Sequence, residues 1–191
     1  MTAITVLYED QRAKEAFGPH ELLLGMVADA TGLPWHQLGK RATAIALNGV
    51  DKLLAALKDA KHWARMAPGR RPVLAIVDAD EVRKRVGTAS MSSATIEERI
   101  RKTCSQPDRL TVVLLENNLE TVIEAIRDCD PRKTLDEELV AEAMDKDINA
   151  RDLLLQKVGR DATRRDLRDC VRKKVPSLNK AIEAIRRAVA S

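Results

Sequence analysis

Aromatic side chains are nearly missing from this 191-residue chain: Tyr8, Phe17, Trp35 and Trp63 are the whole set, 2% of the residues. Proteins that grip single-stranded nucleic acid usually stack bases on several aromatic platforms. Four rings cannot build many, so contact with nucleic acid would have to run through charge, backbone or metal. Trp35 and Trp63 are expected to pack at helix ends. Cysteine is scarce too. Cys104, Cys129 and Cys170 lie far apart and form no C-x-x-C pair. An odd, scattered set argues against a disulfide framework and against a zinc site, and leaves buried, inert thiols as the expectation for Cys104 and Cys129. No uncharged apolar run reaches the ~18 residues of a membrane span. The opening Met1 to Val6 has no basic segment, so no secretory leader is expected, and a reducing cytoplasm is the expected compartment. His20, His36 and His62 are isolated, with no metal-binding spacing, and suit surface or capping roles. No G-x-S-x-G elbow is present.

What is present begins with a 45% hydrophobic composition, enough for a real core. The net charge of +4 hides an asymmetry. Residues 151–191 hold 12 Lys+Arg and 5 Asp+Glu, a net +7, which leaves −3 for the other 150 residues. A slightly acidic body thus carries a basic end. Such an end suits phosphate backbones or an acidic partner, and equally a solvated helical surface.

Apolar periodicity organises the chain. Ile4 to Tyr8 reads as a first strand. Gly18-Pro19 breaks the chain, and Glu21 to Ala30 has helical spacing, closed by Gly32 and Pro34. Thr43 to Leu47 reads as a second strand, Asn48-Gly49 as a turn and Val50 to Ala60 as an amphipathic helix. Val73 to Val77 is apolar throughout, the mark of a central strand in a parallel sheet. Gly87 to Ser93 reads as a loop, and Thr95 is the expected cap of a helix containing Ile96 and Ile100. Leu110 to Leu115 is the fourth strand and Leu119 to Ile126 a helix. This alternation predicts an α/β domain over 1–130: a mostly parallel four-stranded sheet with flanking helices, Rossmann-like in kind. From 131 to 191 only helices are predicted, as a basic C-terminal appendage divided at Gly159 and Pro176.

Chemistry in an open parallel sheet sits at the carboxyl ends of its strands. Glu9-Asp10 follow the first strand, Asp78-Ala79-Asp80-Glu81 the third, and Glu116-Asn117-Asn118-Leu119-Glu120 the fourth. Crowded carboxylates repel, and one must protonate unless a cation joins them. Oxygen donors without nearby His or Cys favour Mg²⁺ or Mn²⁺. Asp78 and Asp80 follow the most buried strand, and both can turn toward one ion if the chain leaves the strand by Ala79. Asp10, Glu81 and Glu120 read instead as helix-cap or first-turn acids.

Glu9 after a first strand, a second βα unit, and then Val73-Leu74-Ala75-Ile76-Val77-Asp78-Ala79-Asp80 resemble the TOPRIM domain. That domain is shared by topoisomerases, bacterial primases, ribonuclease maturases and the OLD-type nucleases of phage defence. Its signature is a Glu after strand one and an Asp-x-Asp after strand three. Glu116-Asn117-Asn118-Leu119 is similar to the Glu-Asn-Tyr-Leu element of some OLD-like proteins, and the resemblance covers about residues 3–128. It implies a Mg²⁺-dependent (or Mn²⁺-dependent) nuclease. Glu9 would be its general acid/base or a second metal ligand, Asp78 and Asp80 would hold the metal, and Glu116 would complete the acidic cluster. Three features depart from the pattern. Asp10 stands where such proteins often have Gly, no Lys can be placed near the fourth strand, and the Gly-rich ATPase loop of full-length OLD nucleases is absent, so any ATPase would be a separate chain.

The basic features are Arg70-Arg71 and the segment holding Arg164, Arg165, Arg168, Arg172, Lys173 and Lys174. Arg165, Arg168 and Arg172 follow helical 3–4 spacing, so one face is expected to be cationic and to meet nucleic-acid phosphates or an acidic partner. A homodimer is compatible with a domain of this size. The alternatives to the nuclease are a metal- or phosphate-binding module that does not cleave, and an inactive scaffold that docks a larger partner.

Overall fold

The computed structural model describes residues 2–9, 17–86, 91–115 and 118–190. The fold is α/β. Strands β1 (Ile4–Tyr8), β2 (Ala42–Ala46), β3 (Val73–Asp78) and β4 (Leu110–Leu115) form one sheet in the order β2-β1-β3-β4. Every pairing is parallel, with Leu7 beside Ile45 and Ala75 and with Ala75 beside Val112. Each strand therefore needs a crossover, and helices supply it.

β1 leads into α1 (Gly18–Thr31) and α2 (Trp35–Arg41), β2 into α3 (Val50–Lys58) and α4 (Ala60–Met66), and β3 into α5 (Ala79–Val86) and α6 (Ser93–Thr103). Every crossover thus holds two helices where the periodicity predicts one. Gly32, at φ 71°, makes the break between α1 and α2, and polar caps make the other two. Asp59 ends α3 and starts α4, accepting the Lys61 N–H at 2.8 Å and pairing with His62 at 2.6 Å. The cap of α6 is Ser92 rather than Thr95: the Ser92 hydroxyl accepts the Thr95 N–H at 3.3 Å. After β4 come α7 (Asn118–Asp128), α8 (Glu137–Met144), α9 (Ile148–Arg160), α10 (Arg165–Lys174) and α11 (Ser177–Ala190). Among the described residues, no helix is long and apolar enough to cross a membrane.

Packing divides the chain into two compact units that interleave in sequence. One comprises Met1–Gln11, Lys40–Asn118 and Arg187–Ser191, the other Arg12–Gly39 and Leu119–Arg186. In the sheet unit, Leu7, Val73, Ala75, Val77, Val112 and Leu114 form a core with Leu53, Leu57, Trp63, Val82, Ile96 and Ile100 from α3 to α6. The alternate strand residues Val6, Tyr8, Leu74, Ile76 and Val113 are buried as well, so the strands read as unbroken apolar runs. Cys104 is a free thiol in that core, and burial pushes its pKa up.

In the helical unit, α1 packs along α9 rather than staying apart from the C-terminal helices. Glycine permits the approach: a Cβ on Gly25 would overlap the Gly159 carbonyl, and one on Gly159 would overlap the Glu21 carbonyl. Gly159 is the last residue but one of α9, so the helix ends within a residue of the expected division. The Gly18 N–H donates to buried Asp152 at 2.8 Å, fixing the start of α1. Arg168 is 3% exposed and grips Asp29 through two bonds of 2.6 and 2.9 Å. It also donates to the carbonyls of Val158 and Asp161, each at 2.7 Å, and so caps the end of α9. Cys129 and Cys170 form a disulfide between the end of α7 and α10. This corrects the expectation of an inert thiol at Cys129: residues 41 apart in sequence meet because their helices are neighbours.

Candidate functional site

In the order β2-β1-β3-β4 the chain first builds to one side of β1 and then to the other. The carboxyl ends of β1 and β3 therefore flank the point where the winding reverses, the usual crevice for ligands in such sheets. Glu9 directly follows β1, and Asp78 is the last residue of β3.

Both acids are 8% exposed, and one hydrogen bond joins them: the Asp78 N–H donates to Glu9 Oε1 at 2.9 Å. The backbone of Glu9 is pinned from the other side. Its carbonyl accepts the Gly49 N–H at 2.5 Å, just after the Leu47 N–H reaches Tyr8 at 2.9 Å. Asn48 and Gly49 make this turn with φ of 56° and 120°, and the second value is one that glycine adopts readily. The β2–α3 turn thus holds the residue that carries the Glu9 carboxylate.

Asp78 also caps α5. Its Oδ1 accepts the N–H groups of Asp80 at 2.7 Å and Glu81 at 3.3 Å. Burial raises the Asp78 carboxyl above its ordinary value. Those two N–H bonds act against the rise, and the charges of Asp80 and Glu81 add to it. Asp80 lies in the first turn of the helix, where its Oδ1 accepts from Arg83 Nη1 at 3.0 Å. Glu81 pairs with Lys84 at 2.6 Å. Asp10 and Glu116, two of the acids expected at this edge, lie outside the described residues.

The donor set can be weighed against a metal. Among the described residues, no group of three or more His, Cys, Asp or Glu side chains stands together as a metal cage. Glu9 and Asp78 offer two carboxylates with oxygen donors only. That set fits Mg²⁺, which is commonly held by one or two carboxylates and completes its shell with water and phosphate oxygens.

The predicted phosphate-binding cations fall elsewhere. Arg70 and Arg71 precede β3, so Pro72 and the five strand residues Val73 to Val77 separate them from Asp78, on the order of 20 Å along the chain. Arg71 is engaged through its carbonyl, which accepts from Arg109 at 2.6 Å. In the helical unit, exposed Arg165 and half-exposed Arg172 line a cleft of about 970 Å³ together with Lys180 and Arg186. Arg172 and Lys173 both bind Asp169, each at 2.7 Å. Arg168 corrects the expectation of a cationic face: it lies at the same cleft, but its guanidinium is committed to Asp29 and to carbonyls.

Among the described residues, cations close to the acidic edge include Arg83 and Lys84, which periodicity alone does not bring to notice. Their signal is the 3-residue spacing Asp80–Arg83 and Glu81–Lys84, visible once α5 is recognised as a helix. Compared with known proteins, the chain matches no family model, no curated protein and no solved structure.

Proposed function

We propose that this chain processes phosphodiester bonds of nucleic acid with the help of Mg²⁺ or Mn²⁺, as a nuclease of the TOPRIM kind. One observation carries the reading: the two interior strands at the winding reversal each end in a buried acid, and a 2.9 Å hydrogen bond ties the two together. In this reading Asp78 and Asp80 hold the cation, and Glu9 gives or takes a proton at the scissile phosphate. A bound divalent cation would polarise a phosphoryl oxygen and make a metal-held water more acidic. Asp78 and Glu9 are pre-positioned for this by the α5 cap and by the β2–α3 turn. These 191 residues hold no Gly-rich ATPase loop, so an ATP-driven role in phage defence would need an ATPase supplied from outside them.

A second reading has its own support. Asp78 caps α5 and Asp80 is paired with Arg83, which suits a metal- or phosphate-binding module that docks a larger partner without cleaving. One experiment separates the two. Purified protein is incubated with plasmid DNA and with structured RNA, in Mg²⁺, Mn²⁺ or EDTA, beside Asp78→Ala and Glu9→Gln. The nuclease reading expects cleavage that EDTA and either substitution reduce at least about a hundredfold, as for loss of a proton-transfer group. No cleavage together with a Mg²⁺-dependent rise in melting temperature selects the binding module. Indifference to metal in both assays removes both readings and leaves the scaffold.

A further inference from the structure

We infer that the Cys129–Cys170 disulfide is a redox latch in the helical unit: an external dithiol that reduces it frees the connector between α7 and α8, residues 129–136, from α10 and loosens one wall of the cleft beside it. The inference is independent of the reading of the acids at the sheet edge.

The bond stands where a thiol can reach it and where the polar contacts beside it are exposed ones. Cys129 and Cys170 are both half-buried, whereas Cys104 is a free thiol inside the sheet unit's core. α10 packs on α1 and α9 rather than along α7. Across the junction with the connector, Lys174 meets Asp128 at 3.1 Å, and Arg164 donates to the Thr134 hydroxyl at 3.0 Å and to its carbonyl at 3.3 Å. Exposed pairs of this kind hold weakly. The connector meanwhile keeps its own shape. The Asp130 carboxylate accepts the Thr134 hydroxyl at 2.8 Å and the Leu135 N–H at 2.7 Å, so the segment can shift as one piece about buried Leu135. Asp130, Pro131 and Leu135 line a cleft of about 600 Å³ together with Val140 and Met144 of α8. Reduction is thiol–disulfide exchange. A thiolate of the dithiol attacks one sulfur, the S–S bond breaks, and the other cysteine leaves as a thiolate that takes a proton from water. The dithiol's second thiolate then breaks the mixed disulfide, so two electrons pass to the protein and the dithiol becomes a disulfide.

Thiol trapping and amide hydrogen exchange test this on the whole chain. Native protein is treated with dithiothreitol in the absence of denaturant and then alkylated. The expected products carry label on Cys129 and Cys170, with Cys104 unlabelled until the protein is unfolded. Exchange is then followed by mass spectrometry at labelling times of about a minute, where local opening dominates. In the reduced protein residues 129–136 should exchange faster by about tenfold or more, while α1 and α9 stay protected, and oxidised glutathione should restore the slow rate. The Cys129→Ser/Cys170→Ser double variant should exchange like the reduced protein and ignore the dithiol; should it not fold, the two states of wild type still decide. If the native disulfide resists the dithiol, or if the connector exchanges alike in both states, there is no latch. If α1 and α9 exchange together with the connector, the bond is a staple of the whole unit and the inference falls as well.

Discussion

Buried Asp78 at the sheet edge and the paired acids of the helical unit live under opposite electrostatics. In the helical unit several acids have cations at hand. Glu120 meets Lys146 and Arg151, Asp128 meets Lys174 and Arg127, and Asp169 meets Lys173 and Arg172. Hydrogen bonds from these partners hold all three carboxyls below their ordinary values. At the sheet edge Asp78 is moved the other way, by burial first. The same residue type therefore serves two ends: charge that holds helices together, and charge kept uncomfortable at a crevice. Buried acids of the second kind, raised by desolvation in a crevice, mark candidate sites, whereas the first kind is ordinary architecture. The comparison also changes the meaning of the +7 of residues 151–191. Much of that excess faces the unit's own carboxylates and carbonyls, so it is not one free cationic face.

The sharpest way to break this contrast is to remove a helical-unit charge that should be structural. Arg168→Leu strands Asp29 and uncaps the end of α9. Loss of one partner from a buried ion pair costs about 3–5 kcal/mol, and urea unfolding should show a loss of that size. A loss below about 1 kcal/mol would mean that the pair is incidental. Next in size is the disulfide. It closes a loop over a sequence separation of 41, for which chain entropy suggests a stabilisation of about 3–4 kcal/mol. Cys129→Ser should lower stability by that amount. A reductant should do the same to wild type and nothing further to the variant, read by denaturant unfolding with and without it.

Legibility in the sequence followed the range of the interactions. The parallel sheet could be read because runs such as Val73 to Val77 are apolar throughout, and the acids behind Glu9 and Asp78 follow from where such strands end. Caps were harder. Ser92 and Asp59 start helices that apolar periodicity blurs, and with α5 unrecognised, Arg83 and Lys84 had no visible relation to Asp80 and Glu81. Long-range contacts left no local trace at all. Nothing near Gly25 announces Gly159, nothing near Cys129 announces Cys170, and 3–4 spacing shows that Arg168 shares a helix face with Arg165 without showing that it turns inward to Asp29. The same spacing argument could not say that Arg70 and Arg71 stand at the amino end of β3, away from the acids.

The smallest expected effect on stability is the most telling for the sheet edge. Asp78→Asn keeps a side-chain oxygen able to cap α5, since Asn and Asp are comparable in that position, and it removes the carboxylate that burial disfavours. Because the folded-state pKa of Asp78 is raised, the folded protein binds more protons than the unfolded chain between the ordinary carboxylate value, near ~3.9, and the higher folded value. In that window wild type loses stability as pH rises, and above it the loss is constant. The variant does not titrate there. Its melting temperature should therefore match wild type at the low end of that window, give or take the change of cap, and pull ahead as pH rises through it before levelling. Melting curves of both proteins across that range measure the difference directly. A wild type that gains on the variant with rising pH would place Asp78 with the paired acids of the helical unit, and the electrostatic distinction between the two regions would be gone.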